Sequence, residues 1–374
     1  MTTERAYWVA WSRAKGVGPI LLKRLSHHFG SLAAAWQADG AEFLEIEGIG
    51  LGLGASLLDY RDRVDPARIL ADQEEQNSNF WTPADPDYPA LLYEITDPPP
   101  LLYYRGRTEL ATALQTMPAV AIVGTRAPSE YGQRWTRRIV QQLAAHDVIV
   151  VSGLARGIDR QAHSQTLDSG GFTIAVLGTG VDLVYPWSNR ALQERIAQEG
   201  LLLSEHPHGT PPDRGHFPRR NRIIAGLSRV VLVTEAPARS GALITAQLAN
   251  DYGREVFALP GSLDNPCSLG CLELIRQGAQ MIMAETTLIQ ELGQMPGLDQ
   301  PSDPQAPPDS WPPPLSPDLA QVLTAITVEP IKLDTLVEQL AQPTGEILSS
   351  LMQLELMGLV TQLPGMRYQL NSIP

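Results

Sequence analysis

Short, uniformly apolar runs recur through the middle of the chain and alternate with amphipathic stretches. Six of these runs are predicted to be buried strands: Ala119 to Val123, Val148 to Val151, Thr173 to Leu177, Leu201 to Leu203, Val230 to Val233 and Val256 to Leu259. The stretches between them, such as Gln133 to Ala145 and Ala242 to Tyr252, have apolar residues at helical spacing. Strands that are apolar on both faces and separated by helices are typical of a parallel sheet covered on both sides. The pattern therefore predicts an α/β fold, a Rossmann-like doubly wound domain with a mostly parallel sheet.

The pattern changes on the N-terminal side of this region. Residues 1–75 are predicted to form short helices around two glycine turns, Gly16–Gly18 and Gly48–Gly50, as in a small helix-hairpin-helix or SAM-like domain. Residues 80–118 are rich in proline, and Leu101 to Tyr104 is a predicted strand that the prolines restrict to a sheet edge or a covering loop. We assign this segment to an extended Rossmann-like domain over residues 80–292.

The C-terminal part is predicted to contain a linker and a small domain. Eight prolines between Pro301 and Pro317 predict an extended linker over residues 293–317. Residues 318–374 have three helical patterns and two short strands around Pro364-Gly365, as in a winged helix. The third helical pattern, Gly345 to Met357, contains no Lys or Arg. Sequence-specific reading of duplex DNA is therefore not expected of this domain, and contact with a protein partner or an intramolecular role is favoured.

Composition narrows the possible functions. The chain has a net charge of -13 and a hydrophobic share of 43%, as expected of a globular protein. It has no signal-peptide pattern and no apolar run long enough to span a membrane. Its two cysteines are too few for a disulfide framework, which fits a cytoplasmic location. Lysine occurs only at positions 15, 23 and 332, so the central region has neither a Walker lysine nor a Schiff-base lysine.

Arginine is concentrated where ligands of such sheets bind. Four arginines lie within the run Arg214 to Arg222, beside Phe217 and Asn221, and no acidic residue lies among them. The loops after the other strands add glycines, hydroxyls and further arginines, which form an anion-binding rim at the carboxyl ends of the strands. The candidate ligand-binding residues of this rim are Gly124, Thr125, Arg126, Ser152, Gly153, Arg156, Arg214, Phe217, Arg219, Arg220, Asn221, Arg222, Ser240 and Gly241. Neither G-x-G-x-x-G nor a Walker motif occurs, so a polyanion is favoured over a dinucleotide or a nucleoside triphosphate.

The first glycine turn is a candidate for a secondary contact with DNA. Lys15 and Lys23 flank Gly16 and Gly18, and the free backbone N–H groups at the start of the next helix can hold a phosphate. The second turn follows Glu45 and Glu47, so a structural role is expected there.

Five motifs resemble the DNA-processing protein A family (DprA/Smf), in the same order along the chain. They are VAIVGTR, SGLARGIDRQAH, AVLGTGVDLVYPWSN, FPRRNRIIAGLS and EAPARSGALITAQLA, and the similarity continues into FALPGS. The resemblance implies a single-stranded DNA-binding protein of natural transformation that protects incoming DNA and helps to load a RecA-type recombinase. It also implies a homodimer formed through the Rossmann-like domain. From the residues themselves, we expect no catalytic residue, cofactor or metal, because no Walker lysine or activated nucleophile is evident.

The resemblance places Arg126, Arg214 and Phe217 in the DNA pocket, with Arg219 to Arg222 next to it. The alternative is that Arg222 or Asn221 does not contact DNA but is buried and shapes the loop. Trp187 stands where relatives often carry a basic residue, so base stacking would replace a charge there.

Three alternatives remain open from the residues. Ser152, Asp159 and His163 could form a hydrolase triad, although support of the loop by Asp159 and packing of His163 are favoured. His206, His208 and His216 could bind a metal, but no fourth ligand is evident. A nucleotide-processing hydrolase or a nucleotide sensor could use the same Rossmann-like scaffold. Hydrolases of this kind have a PGGxGTxxE-type loop. The corresponding stretch here, ARSGALITAQLA, does not have the glutamate and the second glycine of that loop in register.

Overall fold

The computed structural model describes residues 2–284, 288–290, 292, 317–326, 330–340, 342–356, 359–363 and 365–370. The chain forms two compact units, Met1–Gln300 and Pro301–Pro374. The predicted linker over residues 293–317 lies outside the described residues, except at Pro317.

The first unit begins with a helical region. Its helices are α1 (Glu4–Ser12), α2 (Pro19–Phe29), α3 (Leu32–Gln37), α4 (Leu51–Arg63) and α5 (Pro66–Gln76). The predicted glycine turns directly precede α2 and α4, and Gly16 has φ +87°, a left-handed conformation that suits glycine. Trp11 is fully buried at the centre of this region, where its ring contacts Trp36 and Phe43. The predicted helical N-terminal region is confirmed.

A nine-stranded sheet forms the rest of the first unit. Its strands are β1 (Phe80–Trp81), β2 (Leu102–Gly106), β3 (Ala119–Gly124), β4 (Ile149–Ser152), β5 (Thr173–Leu177), β6 (Leu201–Ser204), β7 (Val230–Glu235), β8 (Glu255–Ala258) and β9 (Gln280–Met281). The order is β1-β2-β6-β5-β4-β3-β7-β8-β9, with β3 to β9 parallel and the pairs β2–β6 and β1–β2 antiparallel. The predicted mostly parallel α/β fold is confirmed, and β1 rather than β2 is the edge strand.

Helices cover both faces of this sheet. They are α6 (Ala90–Tyr93), α7 (Glu109–Ala113), α8 (Glu130–Ala145), α9 (Ile158–Asp168), α10 (Arg190–Glu199), α11 (His216–Gly226), α12 (Gly241–Asp251) and α13 (Leu269–Arg276). Alternate strand residues face opposite layers, so Val120 and Ile122 pack with α8 and α9, whereas Ala121 and Val123 pack with α11 and α12. This alternation explains why the strands are apolar on both faces.

The direction of winding reverses between β3 and β7. From β3 the chain adds β4, β5 and β6 on one side and then crosses back to place β7 on the other side of β3. Because α8 and α12 follow β3 and β7 onto opposite faces, their loops separate and leave a crevice at the carboxyl ends of these two strands.

The second unit is a small winged helix. Its elements are α14 (Pro317–Ala325), β10 (Ile331–Lys332), α15 (Leu333–Leu340), α16 (Thr344–Leu356), β11 (Val360–Leu363) and β12 (Arg367–Leu370), with the strands in the order β10-β12-β11. Val322, Leu336, Ile347 and Leu354 are buried in its core. Pro364, at the predicted turn of the wing, lies outside the described residues. Within the described ranges, no helix is both long enough and apolar enough to cross a membrane.

Candidate nucleic-acid interface

A groove with two lobes opens at the crevice between β3 and β7. The lobes have volumes of about 620 and 640 Å³ and share one set of wall residues. The shared residues are Arg126, Ala155, Tyr185, Phe217 and Arg220. Arg214 and Arg239 line the first lobe, and Arg156 and Trp187 line the second. We call this surface the strand-end groove.

The β3–α8 loop presents Arg126. A Cβ atom on Gly124 would lie 2.6 Å from Ile158 and 2.8 Å from the carbonyl oxygen of Glu235, so only glycine fits there. The next amide, that of Thr125, donates to the Glu235 carbonyl oxygen at 2.7 Å. Arg126 follows and is exposed, with its guanidinium carbon 6.0 Å from the centre of the Phe217 ring. The tight loop thus holds a cation beside an aromatic ring.

The β4–α9 loop is shaped by buried polar groups. Ser152 is buried, and its hydroxyl donates to the carbonyl oxygen of Ile122 at 2.6 Å. Asp159 accepts hydrogen bonds from the amides of Gly153 and Ala155 at 3.2 and 3.3 Å. Arg156 is exposed at the tip of this loop. Of the predicted residues in this loop, Arg156 is therefore the one whose side chain is free to meet a ligand.

Phe217 lies in the first turn of α11 and faces the groove. Its ring centre is 5.2 Å from that of Tyr185, and the two planes are inclined by 31°. Gly178 lies beneath the ring, since a Cβ atom there would lie 2.9 Å from Phe217. Arg214 is exposed just before the helix, and Asn221 is half-buried and donates to the carbonyl oxygen of Gly241 at 3.3 Å.

Two arginines of the run are buried. Arg220 is 4% exposed and donates to the carbonyl oxygens of Gly153, at 2.6 Å, and Val176. Burial lowers the pKa of Arg220 to about 10, and burial also raises the pKa of Asp159. Arg222 is 3% exposed, and its nitrogens lie 2.7 Å from Glu205 Oε2 and 3.1 Å from Asp97 Oδ2. Of the two alternatives left open by the sequence, Arg222 is the buried residue.

The β7–α12 loop completes the groove. The hydroxyl of Ser240 accepts a hydrogen bond from the amide of Ala242 at 3.2 Å and so caps α12. Gly241 and Arg239 are exposed. Arg239 belongs to the predicted rim loop that contains Ser240 and Gly241. Tyr185 was absent from the predicted site, although it lies in a quoted motif and follows a predicted strand.

The first glycine turn does not line the strand-end groove. Lys15 is exposed at this turn, next to Gly16 and before Gly18. The ammonium group of Lys23 donates to the carbonyl oxygens of Glu94 and Ile95 at 2.9 and 2.7 Å. Lys23 therefore ties α2 to the segment between α6 and β2.

The suggested catalytic triad does not assemble. The hydroxyl of Thr173 donates to the Val150 carbonyl oxygen, so Nδ1 of His163 is the donor in the 2.7 Å contact between His163 and Thr173. Ser152 and Asp159 bond to backbone groups instead. Within the described part of the chain, no group of three or more His, Cys, Asp or Glu side chains could hold a metal ion.

Comparison with known proteins identifies relatives over nearly the whole chain. A family model described as DNA recombination-mediator protein A matches residues 79–293, and one described as DprA winged helix domain matches residues 305–366. Protein Smf of Synechocystis is 48% identical, with 98% of this chain and 99% of that protein covered. DNA processing protein DprA of Streptococcus pneumoniae is 44% identical, with 61% of this chain and 79% of that protein covered.

Two solved structures share the fold. DNA processing protein A of Streptococcus pneumoniae superposes with a TM-score of 0.66 at 37% identity, covering 78% of this chain and 99% of that one. DNA processing protein A of Helicobacter pylori, described as having a unique single-stranded DNA binding mode, gives a TM-score of 0.52 at 35% identity and covers 57% of this chain and 95% of that one.

Proposed function

The chain belongs to the DNA recombination-mediator protein A family, and we propose that it binds single-stranded DNA in the strand-end groove and acts in recombination during natural transformation. The observation that carries the proposal is the pairing of exposed arginines with aromatic rings along one groove at the crevice of the sheet. The description of the Helicobacter pylori relative as a single-stranded DNA binder supports it.

The chemistry of the groove favours an unpaired strand. Arg126, Arg156, Arg214 and Arg239 are exposed and can contact phosphate oxygens without reading sequence. Tyr185, Phe217 and Trp187 offer ring faces, and stacking on such rings contributes about 1–3 kcal/mol per base. Bases in a duplex are already stacked and paired, so a duplex cannot use these rings without unpairing.

The predicted site residues divide into two roles under this proposal. The exposed arginines and Phe217 contact DNA, with Arg219 and Asn221 at the margin and the amide of Gly241 near the phosphates, whereas the amide of Thr125 is already bonded to the carbonyl oxygen of Glu235. Ser152, Gly153, Arg220, Arg222 and Ser240 hold the loops in place through the hydrogen bonds described above. The hydrolase alternative gains no support, because the hydroxyl of Ser152 is buried and bonded to backbone.

Membership of the family suggests two partners for this chain, a second copy of itself and a recombinase. We propose that the chain forms a homodimer through its sheet domain and delivers single strands to a RecA-type recombinase. A secondary DNA contact at the first glycine turn would involve Lys15, Gly16 and Gly18, because two of the three N–H donors of Lys23 are already engaged by backbone carbonyl oxygens.

Alanine substitution of groove residues tests the proposal. Arg126→Ala, Arg214→Ala and Phe217→Ala should each weaken binding of an oligonucleotide about tenfold, which corresponds to about 1.4 kcal/mol. Each arginine variant should also reduce the slope of log K against log salt by about 0.7, because one phosphate contact is lost. Fluorescence anisotropy with single-stranded and duplex oligonucleotides provides both measurements.

The matched control is Arg229→Ala. Arg229 is exposed and carries the same charge. It lies just before β7, at the amino ends of the strands and therefore on the side of the sheet opposite the strand-end groove. Its variant should bind like the wild type. Wild-type affinity in all three groove variants, or equal loss in the control, would refute the groove as the binding site.

A further inference from the structure

Two exposed arginines lie just outside the strand-end groove, on the first turns of neighbouring helices. Arg160 is in the first turn of α9, and Arg190 is the first residue of α10. Both side chains are exposed, and neither residue lines the groove. We call the surface formed by Arg160 and Arg190 the α9–α10 ledge.

One backbone carbonyl group holds both parts of the ledge close to the groove. The carbonyl oxygen of Ala155, a residue that lines both lobes, accepts a hydrogen bond from the Arg160 amide at 3.1 Å. The same oxygen accepts from Asn189 Nδ2 at 3.2 Å. Asn189 is 1% exposed and directly precedes Arg190. The first turns of α9 and α10 are therefore fixed beside each other and beside the groove.

The guanidinium group of Arg190 lies against a residue of the groove wall. Its carbon atom is 5.0 Å from the centre of the Trp187 ring. Trp187 lines the second lobe and is 68% exposed, although tryptophan side chains are on average well buried. A guanidinium group that lies over a ring keeps its in-plane N–H donors available. A base that stacks on Trp187 therefore has a phosphate-binding group beside it.

The carboxylates near the ledge are engaged by other groups. Asp159 is buried and bonded to backbone amides. Asp168, at the end of α9, pairs with Arg195 at 2.5 Å. Glu194 pairs with Arg105 at 2.8 Å. Within the described ranges, neither arginine of the ledge forms an ion pair, so both charges are available to a ligand.

The other end of the groove offers no comparable continuation. Beyond Arg239, the first lobe is bordered by α12, which contains no Lys or Arg and ends at Asp251. A polyanion that extends out of the groove is stabilised where cations follow and not where they are missing. The charge distribution therefore favours an exit over the α9–α10 ledge.

We propose that a DNA single strand longer than the groove leaves it at Trp187 and crosses the α9–α10 ledge, where Arg160 and Arg190 bind backbone phosphates, a path that rests on the proposed binding of single strands in the strand-end groove. The ledge contributes phosphate contacts, so it adds affinity without sequence preference. It acts only on strands that are long enough to reach it. This dependence on length separates the role of the ledge from that of the groove.

The test is the binding of oligo(dT) of increasing length to the full chain, measured by fluorescence anisotropy. Sites for single strands span about 4–16 nucleotides, and the series covers this range. The variant that combines Arg160→Ala with Arg190→Ala should bind the shortest oligonucleotide that gives measurable binding like the wild type. It should bind the longest one about tenfold more weakly. For the longest one, the slope of log K against log salt should fall by about 1.4, because two phosphate contacts of about 0.7 each are lost.

Two control variants separate a local contact from a general loss of charge. Combining Arg68→Ala with Arg229→Ala removes the same charge from exposed positions on α5 and at the amino ends of the strands. This variant should bind both lengths like the wild type. Combining Arg160→Lys with Arg190→Lys keeps both cations, so it should retain most of the salt slope for the longest oligonucleotide.

Three results would overturn the proposal: wild-type affinity of the alanine ledge variant for the longest oligonucleotide, an equal loss at both lengths, or the same loss in the control without the two exposed arginines of α5 and β7's start. A salt slope of the lysine variant as low as that of the alanine variant would contradict a contact based on charge. Failure of the groove proposal would be seen separately, as wild-type binding of the shortest oligonucleotide by Arg126→Ala.

Discussion

The arginines between positions 214 and 222 divide into two groups according to burial. Arg214 and Arg219 are exposed, whereas Arg220 and Arg222 are buried and bonded to backbone carbonyls or carboxylates. The buried pair could not be identified from the run itself, because burial depends on which carbonyls and carboxylates other segments bring to α11. Residue type predicted the charge of the site, and packing decided which charges are available.

His163 provides a prediction at the residue scale. Burial, reinforced by the positive charge of Arg220, lowers the pKa of His163 from 6.5 to about 3. Between these values the unfolded chain binds a proton that the folded chain does not, so the free energy of unfolding falls as the pH decreases through this window. The loss should approach about 1.4 kcal/mol per pH unit below about pH 6.

Urea unfolding at several pH values between about 7 and 5 would measure this contribution. His163→Leu removes the titrating group, so its stability should fall less steeply on acidification than that of the wild type. Parallel pH profiles for the two proteins would contradict the assignment.

At the scale of elements, Glu235 connects the end of β7 to two loops. It ends β7, and its carboxylate accepts hydrogen bonds from the amide and hydroxyl of Ser129 at 2.8 and 2.6 Å and from Asn265 Nδ2 at 2.9 Å. Its carbonyl oxygen accepts from Thr125. The loop that carries Arg126 is therefore held by Glu235 at both of its ends.

Glu235→Ala should destabilise the fold and weaken DNA binding together. The change leaves donors from Ser129 and Asn265 without their acceptor, and a buried unpaired donor costs about 1–3 kcal/mol. We expect the free energy of unfolding to fall by about 3 kcal/mol or more in urea denaturation. Ser129→Ala, which removes one of these donors and the cap of α8, should cost about 1 kcal/mol. Equal losses for the two variants would show that the carboxylate does not link the loops.

Long elements with a clear apolar pattern could be predicted from the sequence, and short ones could not. All six predicted central strands are present. They could be recognised because a strand buried on both faces has a continuous run of apolar residues. The strands β1 and β9 have two residues each and no pattern of their own. They exist because a neighbouring strand offers hydrogen-bonding groups, which a local pattern does not reveal.

At the scale of the whole molecule, negative charge is concentrated outside the binding region. The chain has a net charge of -13, and residues 318–374 contain six acidic and two basic residues. Acidic residues at a distance repel a polyanion at low ionic strength and are screened at high ionic strength. We infer that the C-terminal part limits non-specific DNA binding.

Removal of residues 293–374 tests this effect. The truncated chain should bind duplex DNA several-fold more tightly than the full chain at low salt, and the difference should shrink as salt is added. Anisotropy titrations at two salt concentrations would measure it. Unchanged duplex binding at low salt would contradict a role for the acidic tail.

The sequence alone determined the fold class, the winged helix, the family resemblance and the edge of the sheet at which arginine accumulates. These features depend on local periodicity and on motifs that are contiguous in the chain. Only the tertiary structure decided that Arg220, Arg222 and Ser152 support the groove from within and that Tyr185 joins Phe217. These outcomes depend on contacts between segments that are distant in sequence, and hydrogen-bond partners and burial are properties of those contacts.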